Sequence, residues 1–337
     1  MRHRLSLTSK WSQYLAARTA AAVLTSFDIE ANLRTAAVVG RWMYRLDRRH
    51  RLRAMHHLAI AFPHWSAGKR RRVCIGSFEH FAQLGVELCH SGRLIHRDTW
   101  SRRARFTNLG PMLKRLNAGR PMILLTGHLG NWEILGSLMG VLGYPIDALF
   151  RPLDNPLLNA WVMQIRSRHG LRLVVKWDAA DFMQQRLVAG GALGFIADQN
   201  AGDRGLFVPF FGRLASTYKS IGLLAIRYEV PIVCAYALRA PLGCRFDVGI
   251  QDVLWPEQFL NRPDPLYYVT ARYMYAIEQM VRRSPHQYLW IHRRWRSRPA
   301  FERAGRGLPD ALRSKLESLP WIDAEAILRL QKPLPPV

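Results

Sequence analysis

The sequence lacks several elements by which secreted, zinc-binding and membrane-spanning proteins are identified. Its four cysteines, Cys74, Cys89, Cys234 and Cys244, form no C-x-x-C pair, so their spacing indicates neither a disulfide framework nor a zinc site. We interpret them as reduced residues of the core, in a protein that faces the cytosol. The N-terminus has no run of ~20 uninterrupted apolar residues, which a bilayer-spanning helix needs, and no signal-peptide cleavage site.

Several standard catalytic motifs are also absent. The sequence contains no G-x-S-x-G nucleophile elbow, no Walker A loop, no Rossmann glycine fingerprint and no H-E-x-x-H, which disfavours the enzyme classes that depend on them. A metal site could be drawn from His128, Glu133 and Asp198, but no second histidine lies near them in the sequence. We therefore expect neither a metal nor a cofactor.

Acidic residues are scarce. The chain has 49 Lys and Arg against 24 Asp and Glu, a formal net charge of +25. Residues 1–120 hold 23 basic and 6 acidic residues and so contribute +17 of that total. Such a surface attracts polyanions: nucleic acid, an anionic membrane or an acidic carrier protein. Charge alone does not choose among them, but no zinc-finger or RRM signature is present, so we do not expect nucleic acid.

The length of 337 residues is enough for one large domain with appendages. We expect basic amphipathic helices over residues 1–46, a main domain over residues 47–303 and a small C-terminal appendage over residues 304–337. The stretch Lys10–Phe27 mixes Trp11 and Leu15 with basic residues, which is typical of helices that lie in a membrane interface. For Leu33–Leu46, packing on the chain's own domain is an equally good interpretation.

Strands and helices alternate from residue 122 onwards. Apolar runs predict strands over residues 122–125, 146–150, 171–175, 192–197, 231–238 and 245–250. The Gly-rich segment Gly202–Gly212 reads as a loop, and Ser216 or Thr217 as the N-cap of a helix over residues 218–228. This alternation predicts an α/β fold with a largely parallel central sheet covered by helices on both faces.

A turn between two glycines, Gly127 and Gly130, follows the first of these strands and leads into a helix. Asn131 is a residue type that favours the N-cap, and the positive end of the helix helps to keep Glu133 ionised. A carboxylate that reaches an imidazole fixes its tautomer, so we expect Glu133 to orient His128 as a general base. The alternative is a capped helix with an incidental histidine, because a single H-x4-E pair is a weak pattern.

Four polar residues each follow a predicted strand: His128, Arg151, Lys176 and Asp198. In open parallel sheets the site lies beyond the carboxyl ends of the strands, so we expect all four at one crevice. The alternative is that Arg151 and Asp198 form only a structural ion pair. Without a protein nucleophile or a cofactor, the histidine most simply deprotonates a substrate hydroxyl for direct attack on an activated acyl group.

The sequence Gly127–Glu133, GHLGNWE, resembles the H-x4-D/E signature of glycerolipid acyltransferases. Its G-H-x-G-N-W-E form is similar to the branch that adds secondary acyl chains in lipid A biosynthesis, the lauroyl and myristoyl transferases. Other segments match in the same order over roughly residues 45–300: 61–63, 77–78, 151–152, 155–156, 166–170, 198–200, 205–212 and 290–295.

The resemblance implies a glycerolipid acyltransferase-like fold, an acyl-carrier-protein thioester as donor and a hydroxyl of a phosphorylated lipid A precursor as acceptor. It also implies that the protein acts at the cytoplasmic face of the inner membrane. Residues 47–303 would form the acyltransferase domain. Carried over by position, His128 is the base and Glu133 its orienting partner, with Arg166 and Asp198 as further catalytic residues. We expect substrate binding by Arg151, Lys176, Asn131 and Gln199.

Members of that branch usually begin with a clear transmembrane helix, which this N-terminus does not resemble. We therefore expect a peripheral attachment to an anionic membrane that is assisted by charge. Two other functions remain open at this point. One is acylation of a different lysolipid or of a glycolipid. The other is a non-catalytic basic protein that binds membrane or nucleic acid, which would not need His128, Glu133 and Asp198 together.

Overall fold

The computed structural model describes residues 6–150, 152–167, 171–175, 179–241 and 244–331. Its N-terminal part is helical, and each of four successive helices begins after a side chain that accepts a backbone N–H of the first turn. Those caps are Ser6, Asp28, Asp47 and Ser66. The helices are α1 (Leu7–Thr25), α2 (Ile29–Leu46), α3 (Arg48–Ala61) and α4 (Ala67–Leu94).

A seven-stranded sheet forms the centre of the described structure. Its strands in chain order are β1 (Ala104–Thr107), β2 (Met122–Thr126), β3 (Ile146–Phe150), β4 (Arg172–Val175), β5 (Ala192–Ile196), β8 (Ile232–Arg239) and β9 (Phe246–Leu254), and β6 (Leu206–Phe210) and β7 (Arg213–Thr217) form a separate hairpin. The spatial order in the sheet is β1-β9-β8-β2-β5-β3-β4. Every neighbouring pair in it is parallel except β8 with β9.

Helices connect and cover these strands. They are α5 (Trp100–Arg103), α6 (Gly110–Asn117), α7 (Trp132–Val141), α8 (Pro156–Ser167), α9 (Ala179–Val188), α10 (Ser220–Arg227), α11 (Pro256–Phe259), α12 (Pro265–Arg283), α13 (Ala300–Arg303), α14 (Asp310–Glu317) and α15 (Ala324–Gln331). Within the described ranges, no helix combines the length and the apolar content that a bilayer crossing requires.

The central strand β2 is buried along its whole length, and its side chains alternate between two apolar cores. Ile123 and Leu125 pack with residues of α3, α4, α10 and α12 on one face of the sheet. Met122 and Leu124 pack with α2, α6 and α7 on the other face. A strand buried on both sides reads as a continuous apolar run, which is why this run predicts the strand so well. The expected α/β fold with a mostly parallel sheet is confirmed.

Two predictions about residues 202–228 are wrong. The segment Gly202–Gly212 is not only a loop, because Leu206–Phe210 pairs antiparallel with Arg213–Thr217. Phe211 and Gly212 turn the chain with positive φ values of 52° and 66°, as a two-residue hairpin turn requires. Pro209 lies inside the first strand and hides its alternation, since proline normally argues against a strand.

Ser216 and Thr217 therefore belong to β7 and do not cap the helix that follows. Helix α10 begins after Lys219, which makes no side-chain capping hydrogen bond. The hydroxyl of Thr217 is instead used inside the fold, where it accepts from the Arg294 guanidinium at 2.8 Å. Ser216 and Thr217 are residue types that often cap helices, but here both lie within a strand.

Candidate active site

His128 follows the end of β2, at the edge where the parallel strands of the sheet end. The glycines beside it allow a backbone course that other residues would block. A Cβ on Gly127 would lie 3.2 Å from a carboxylate oxygen of Asp198. Gly130 has a φ of +57°, and a Cβ there would lie 2.2 Å from the carbonyl oxygen of Ala237. The loop is thus pressed against β8 on one side and against Asp198 on the other.

Backbone hydrogen bonds fix this loop to a second segment. The N–H of Leu289 donates to the carbonyl of His128 at 3.0 Å, and the N–H of Gly130 donates to the carbonyl of Gln287 at 3.0 Å. A further N–H, that of Asn131, donates to the carbonyl of Ala237 at 2.7 Å. The histidine therefore stands on a backbone that is bonded on both sides, as a preorganised site needs.

Asp198 binds His128 through both of its oxygens. One oxygen lies 2.7 Å from the imidazole Nδ1, and the other accepts the backbone N–H of His128 at 2.9 Å. The carboxylate is buried. Burial by itself raises the pKa of Asp198, but attraction to His128 and the two hydrogen bonds outweigh it and lower the pKa to about 2. Asp198 is therefore an ionised acceptor at neutral pH.

The partners of the ring define its tautomer. Because the Asp198 carboxylate accepts only, Nδ1 carries a proton, so the neutral ring is the tautomer that has its lone pair on Nε2. The side-chain amide nitrogen of Gln199 lies 3.3 Å from Nε2, where it donates to that lone pair. A substrate hydroxyl that takes this place meets an unprotonated nitrogen of a ring already oriented by a carboxylate, which is the arrangement of a general base.

Glu133 has a different partner from the one that the sequence suggested. Its carboxylate accepts from the guanidinium of Arg166, with distances of 2.9 Å from Nε and 2.5 Å from Nη2. It also accepts from the indole Nε1 of Trp132 at 3.2 Å. The expected orienting contact of Glu133 with His128 is replaced by that of Asp198, because β2 and β5 are neighbours in the sheet and deliver those two residues to one point.

Trp132 contacts one member of each pair, His128 of the first and Glu133 of the second. Its ring meets the His128 imidazole edge to face, with centroids 5.0 Å apart. Its indole N–H donates to the Glu133 carboxylate. Glu133 thus accepts from both Trp132 and Arg166, and the guanidinium donates to it through Nε and Nη2.

Asn131 is the N-cap of α7, as predicted. Its side-chain oxygen accepts the N–H of Ile134 at 2.9 Å, and its amide nitrogen donates to Glu87 at 2.7 Å. The side chain is buried, with both ends bonded inside the protein. These contacts are structural, and substrate binding by Asn131 stays a prediction. Arg151 and Lys176 lie outside the described residues, so their roles also stay predictions.

His292 is a residue of this site that the sequence reasoning did not single out. Its Nε2 accepts the backbone N–H of Asn200 at 3.2 Å, two residues after Asp198. Burial lowers its pKa to about 4 although the nearby Asp198 raises it. The ring is therefore neutral at pH 7, as its acceptor role requires. The only signal in the sequence was its place in the segment 290–295, which was treated as a motif without a role.

Comparison with known proteins shows which family this chain matches over most of its length. The profile of one family, described as bacterial lipid A biosynthesis acyltransferase, matches residues 2–297. The lipid A biosynthesis palmitoleoyltransferase of Escherichia coli (strain K12) is 28% identical over 254 residues, which cover 74% of this chain and 79% of that protein. The lipid A biosynthesis lauroyltransferase of the same strain is 27% identical over 268 residues, 77% of this chain and 84% of that protein.

Proposed function

The chain belongs to the bacterial lipid A biosynthesis acyltransferase family, and on that premise we propose that it moves a fatty acyl chain from an acyl-carrier-protein thioester to a hydroxyl of a lipid A precursor. The observation that carries the proposal is the His128–Asp198 pair, an oriented base at the carboxyl end of β2. The cationic surface suits both substrates, because an acyl carrier protein and a phosphorylated lipid are both acidic.

In the proposed reaction the Nε2 of His128 removes the proton of the acceptor hydroxyl. The hydroxyl oxygen attacks the thioester carbonyl carbon, the new C–O bond forms and the C–S bond breaks. The imidazolium then returns the proton to the departing thiolate. Asp198 stabilises the imidazolium between these two transfers, because it stays ionised beside the ring.

Arg166 has the chemistry to bind an anion in this reaction. A guanidinium can bind a phosphate through two parallel hydrogen bonds or stabilise the oxyanion that forms at the thioester carbonyl. Glu133 fixes its orientation from the first turn of α7. We therefore assign Glu133 to the positioning of Arg166 and Asp198 to the orientation of His128.

The proposal is tested by transfer of a labelled acyl chain from acyl carrier protein to a panel of acceptors: a phosphorylated lipid A precursor, a lysophospholipid and a glycolipid. His128→Ala should lower kcat by about 10²–10⁴-fold, the usual contribution of a general base. The exposed His64 supplies a control, and His64→Ala should leave the rate unchanged. Undiminished transfer by His128→Ala would refute the mechanism, and transfer to another acceptor alone would reassign the substrate.

We also propose that the N-terminal helices attach the enzyme to an anionic membrane from one side. Helix α2 buries Leu33 and Gly40 against α4, so one face packs on the main domain. The opposite side of α1 and α2 and the turn between them expose large apolar residues: Leu7, Trp11, Leu15, Val23, Phe27, Val38, Val39, Trp42 and Leu46. Exposed arginines, including Arg34 and Arg45, lie among them, as in helices that lie in a membrane interface.

Extraction of membranes with high salt and then with carbonate tests this attachment. Both treatments should release the protein, because ionic attraction and shallow insertion hold it. Trp42→Ser should weaken binding to vesicles that contain an anionic lipid. Leu328→Ser, which removes an exposed leucine of α15, should not. Retention through both extractions would overturn the peripheral attachment.

A further inference from the structure

Helix α4 packs a row of polar side chains against the loop that carries His128 and the segment bonded to it. Ser77, His80 and Glu87 are buried, and their spacing of three and seven residues puts them on one face of the helix. Ser77 donates to the carbonyl of Tyr288 at 2.6 Å, and the Nε2 of His80 lies 3.0 Å from the carbonyl of Gly130. Each of these contacts ends on the loop that holds His128 or on the segment paired with it.

Glu87 is the acid of that row, and its side chain has no exposed surface. An unpaired carboxylate at such a place would be very costly, so its partners matter. One oxygen accepts from the Nε of Arg239, and the other accepts from the amide of Asn131 at 2.7 Å. Arg239 is fixed in turn, because its backbone N–H donates to Gln287 at 2.9 Å and its guanidinium donates to Gln83.

The carboxylate of Glu87 determines which way the Asn131 amide faces. Asn131 must present its oxygen to the N–H of Ile134 to cap α7, which leaves its NH2 group facing Glu87. Only a group that accepts at both ends can satisfy this NH2 and the Arg239 guanidinium together. A carboxylate does so, whereas the isosteric glutamine would oppose a donor with a donor.

We infer that Glu87 is a positioning residue for acyl transfer, which rests on the proposed function. It holds the N-cap of α7, and the first turn of that helix carries both Trp132 and Glu133. Trp132 packs on the His128 ring, and Glu133 holds Arg166. Glu87 thus aligns the base and the arginine with each other without touching the substrate itself.

Two single variants and their combination test this inference. Glu87→Gln should lower kcat roughly 10- to 100-fold, as expected for a small misplacement of reacting groups, with a smaller change in KM. Asn131→Asp alone should also lower kcat, because it faces Glu87 with a second carboxylate. The double variant Glu87→Gln/Asn131→Asp should recover most of the loss. Its new aspartate accepts from Ile134 and from the glutamine amide, while the glutamine oxygen still accepts from Arg239.

The control is Asp252→Asn, which removes the acid of the Asp252–Arg272 ion pair between β9 and α12. It should leave kcat unchanged. Hydrogen exchange of the peptide that covers residues 128–135 gives a readout independent of activity. This exchange should be faster in both single variants and normal in the double variant.

Unchanged kcat and exchange in Glu87→Gln, or a folded double variant that recovers neither, would overturn the inference. An equal loss in Asp252→Asn would also overturn it, because it would make the effect a general consequence of lost charge. If Glu87→Gln does not fold, the comparison of Asn131→Asp with the double variant decides. An inactive wild type would refute the proposed function alone, and the exchange data would still test the role of Glu87.

Discussion

Two carboxylates, Asp198 and Glu133, bind on either side of the His128–Trp132 contact, but their surroundings differ. Asp198 is buried, and both of its oxygens bind His128. Glu133 is partly exposed and binds the guanidinium of Arg166. The difference teaches that closeness in the sequence does not decide which carboxylate pairs with His128. Asp198 lies 70 residues away in sequence and reaches the ring because its strand is the neighbour of β2.

The largest loss of activity should come from breaking the contact of Asp198 with His128. In Asp198→Asn the amide oxygen can still accept the backbone N–H of His128, but the NH2 group then faces Nδ1. The ring must move its proton to Nε2 and loses its function as a base. We expect kcat to fall about 10³–10⁴-fold, as when the aspartate of a catalytic triad becomes an asparagine. Single-turnover transfer from acyl carrier protein measures this.

Breaking the Glu133 side should cost less. Glu133→Gln keeps the shape of the side chain but replaces one of the two oxygens that face Arg166 by a donor. We expect a loss of roughly 10- to 100-fold in kcat/KM, because a misoriented arginine weakens substrate positioning while the base remains intact. Steady-state assays over a range of acceptor concentrations check this. A larger loss than that of Asp198→Asn would reverse the assignment of the two carboxylates.

Acid should lower the free energy of unfolding through His292, whose ring lies near Asp198. Its pKa is lowered to about 4 in the folded protein from an ordinary value of 6.5. The unfolded chain therefore binds more protons between these values, and stability is lost as the pH falls through that window. From pH 7.5 to pH 5 this residue should contribute about 1–2 kcal/mol of lost unfolding free energy.

Urea unfolding at both pH values measures that contribution. His292→Gln, which keeps an acceptor for the N–H of Asn200, should show a smaller pH dependence than the wild type. His64→Gln, at an exposed position, should behave like the wild type. The pH dependence that remains in His292→Gln should come in part from His57, whose pKa burial also lowers to about 4. Identical pH dependence in the wild type and His292→Gln would contradict the neutral role of His292.

The smallest effect should come from Trp132, which contacts both sides. Trp132→Phe keeps an aromatic ring against His128 but removes the hydrogen bond to Glu133. A hydrogen bond to a charged group contributes about 1.5–3 kcal/mol when buried, and less where the acceptor is partly exposed. We therefore expect at most about a tenfold loss of kcat/KM. If kcat/KM does not fall at all, the Trp132 hydrogen bond plays no part in aligning His128 with Arg166.

Much of the architecture was predictable because it depends on local patterns. The apolar run at residues 122–125 gave its strand, and Asn131 its helix cap. The meeting of His128 and Asp198 was foreseen from their positions after strands. Spatial order was not foreseen, since nothing local states that β5 rather than β3 lies beside β2. For the same reason Glu87, on a helix far upstream in the chain, was not connected with Asn131.

The Glu133 prediction shows the limit of motif reasoning. His128 lies in the turn before α7, and Glu133 lies five residues later in the first turn of that helix. This closeness in the sequence is the reason to expect a contact between them. The helix instead points Glu133 towards α8, where Arg166 offers a full charge. A guanidinium that donates two hydrogen bonds is a stronger partner for a carboxylate than an imidazole that another carboxylate already binds.

The most direct test of the central assignment is the protonation of the His128 ring. Nitrogen NMR of protein with ¹⁵N-labelled histidine, assigned with His128→Gln, reports which ring nitrogen carries the proton. Near pH 7.5 we predict a proton on Nδ1 in the wild type and in Glu133→Gln, and a proton on Nε2 in Asp198→Asn. A wild-type ring protonated on Nε2, or a tautomer that changes with Glu133 and not with Asp198, would contradict the account.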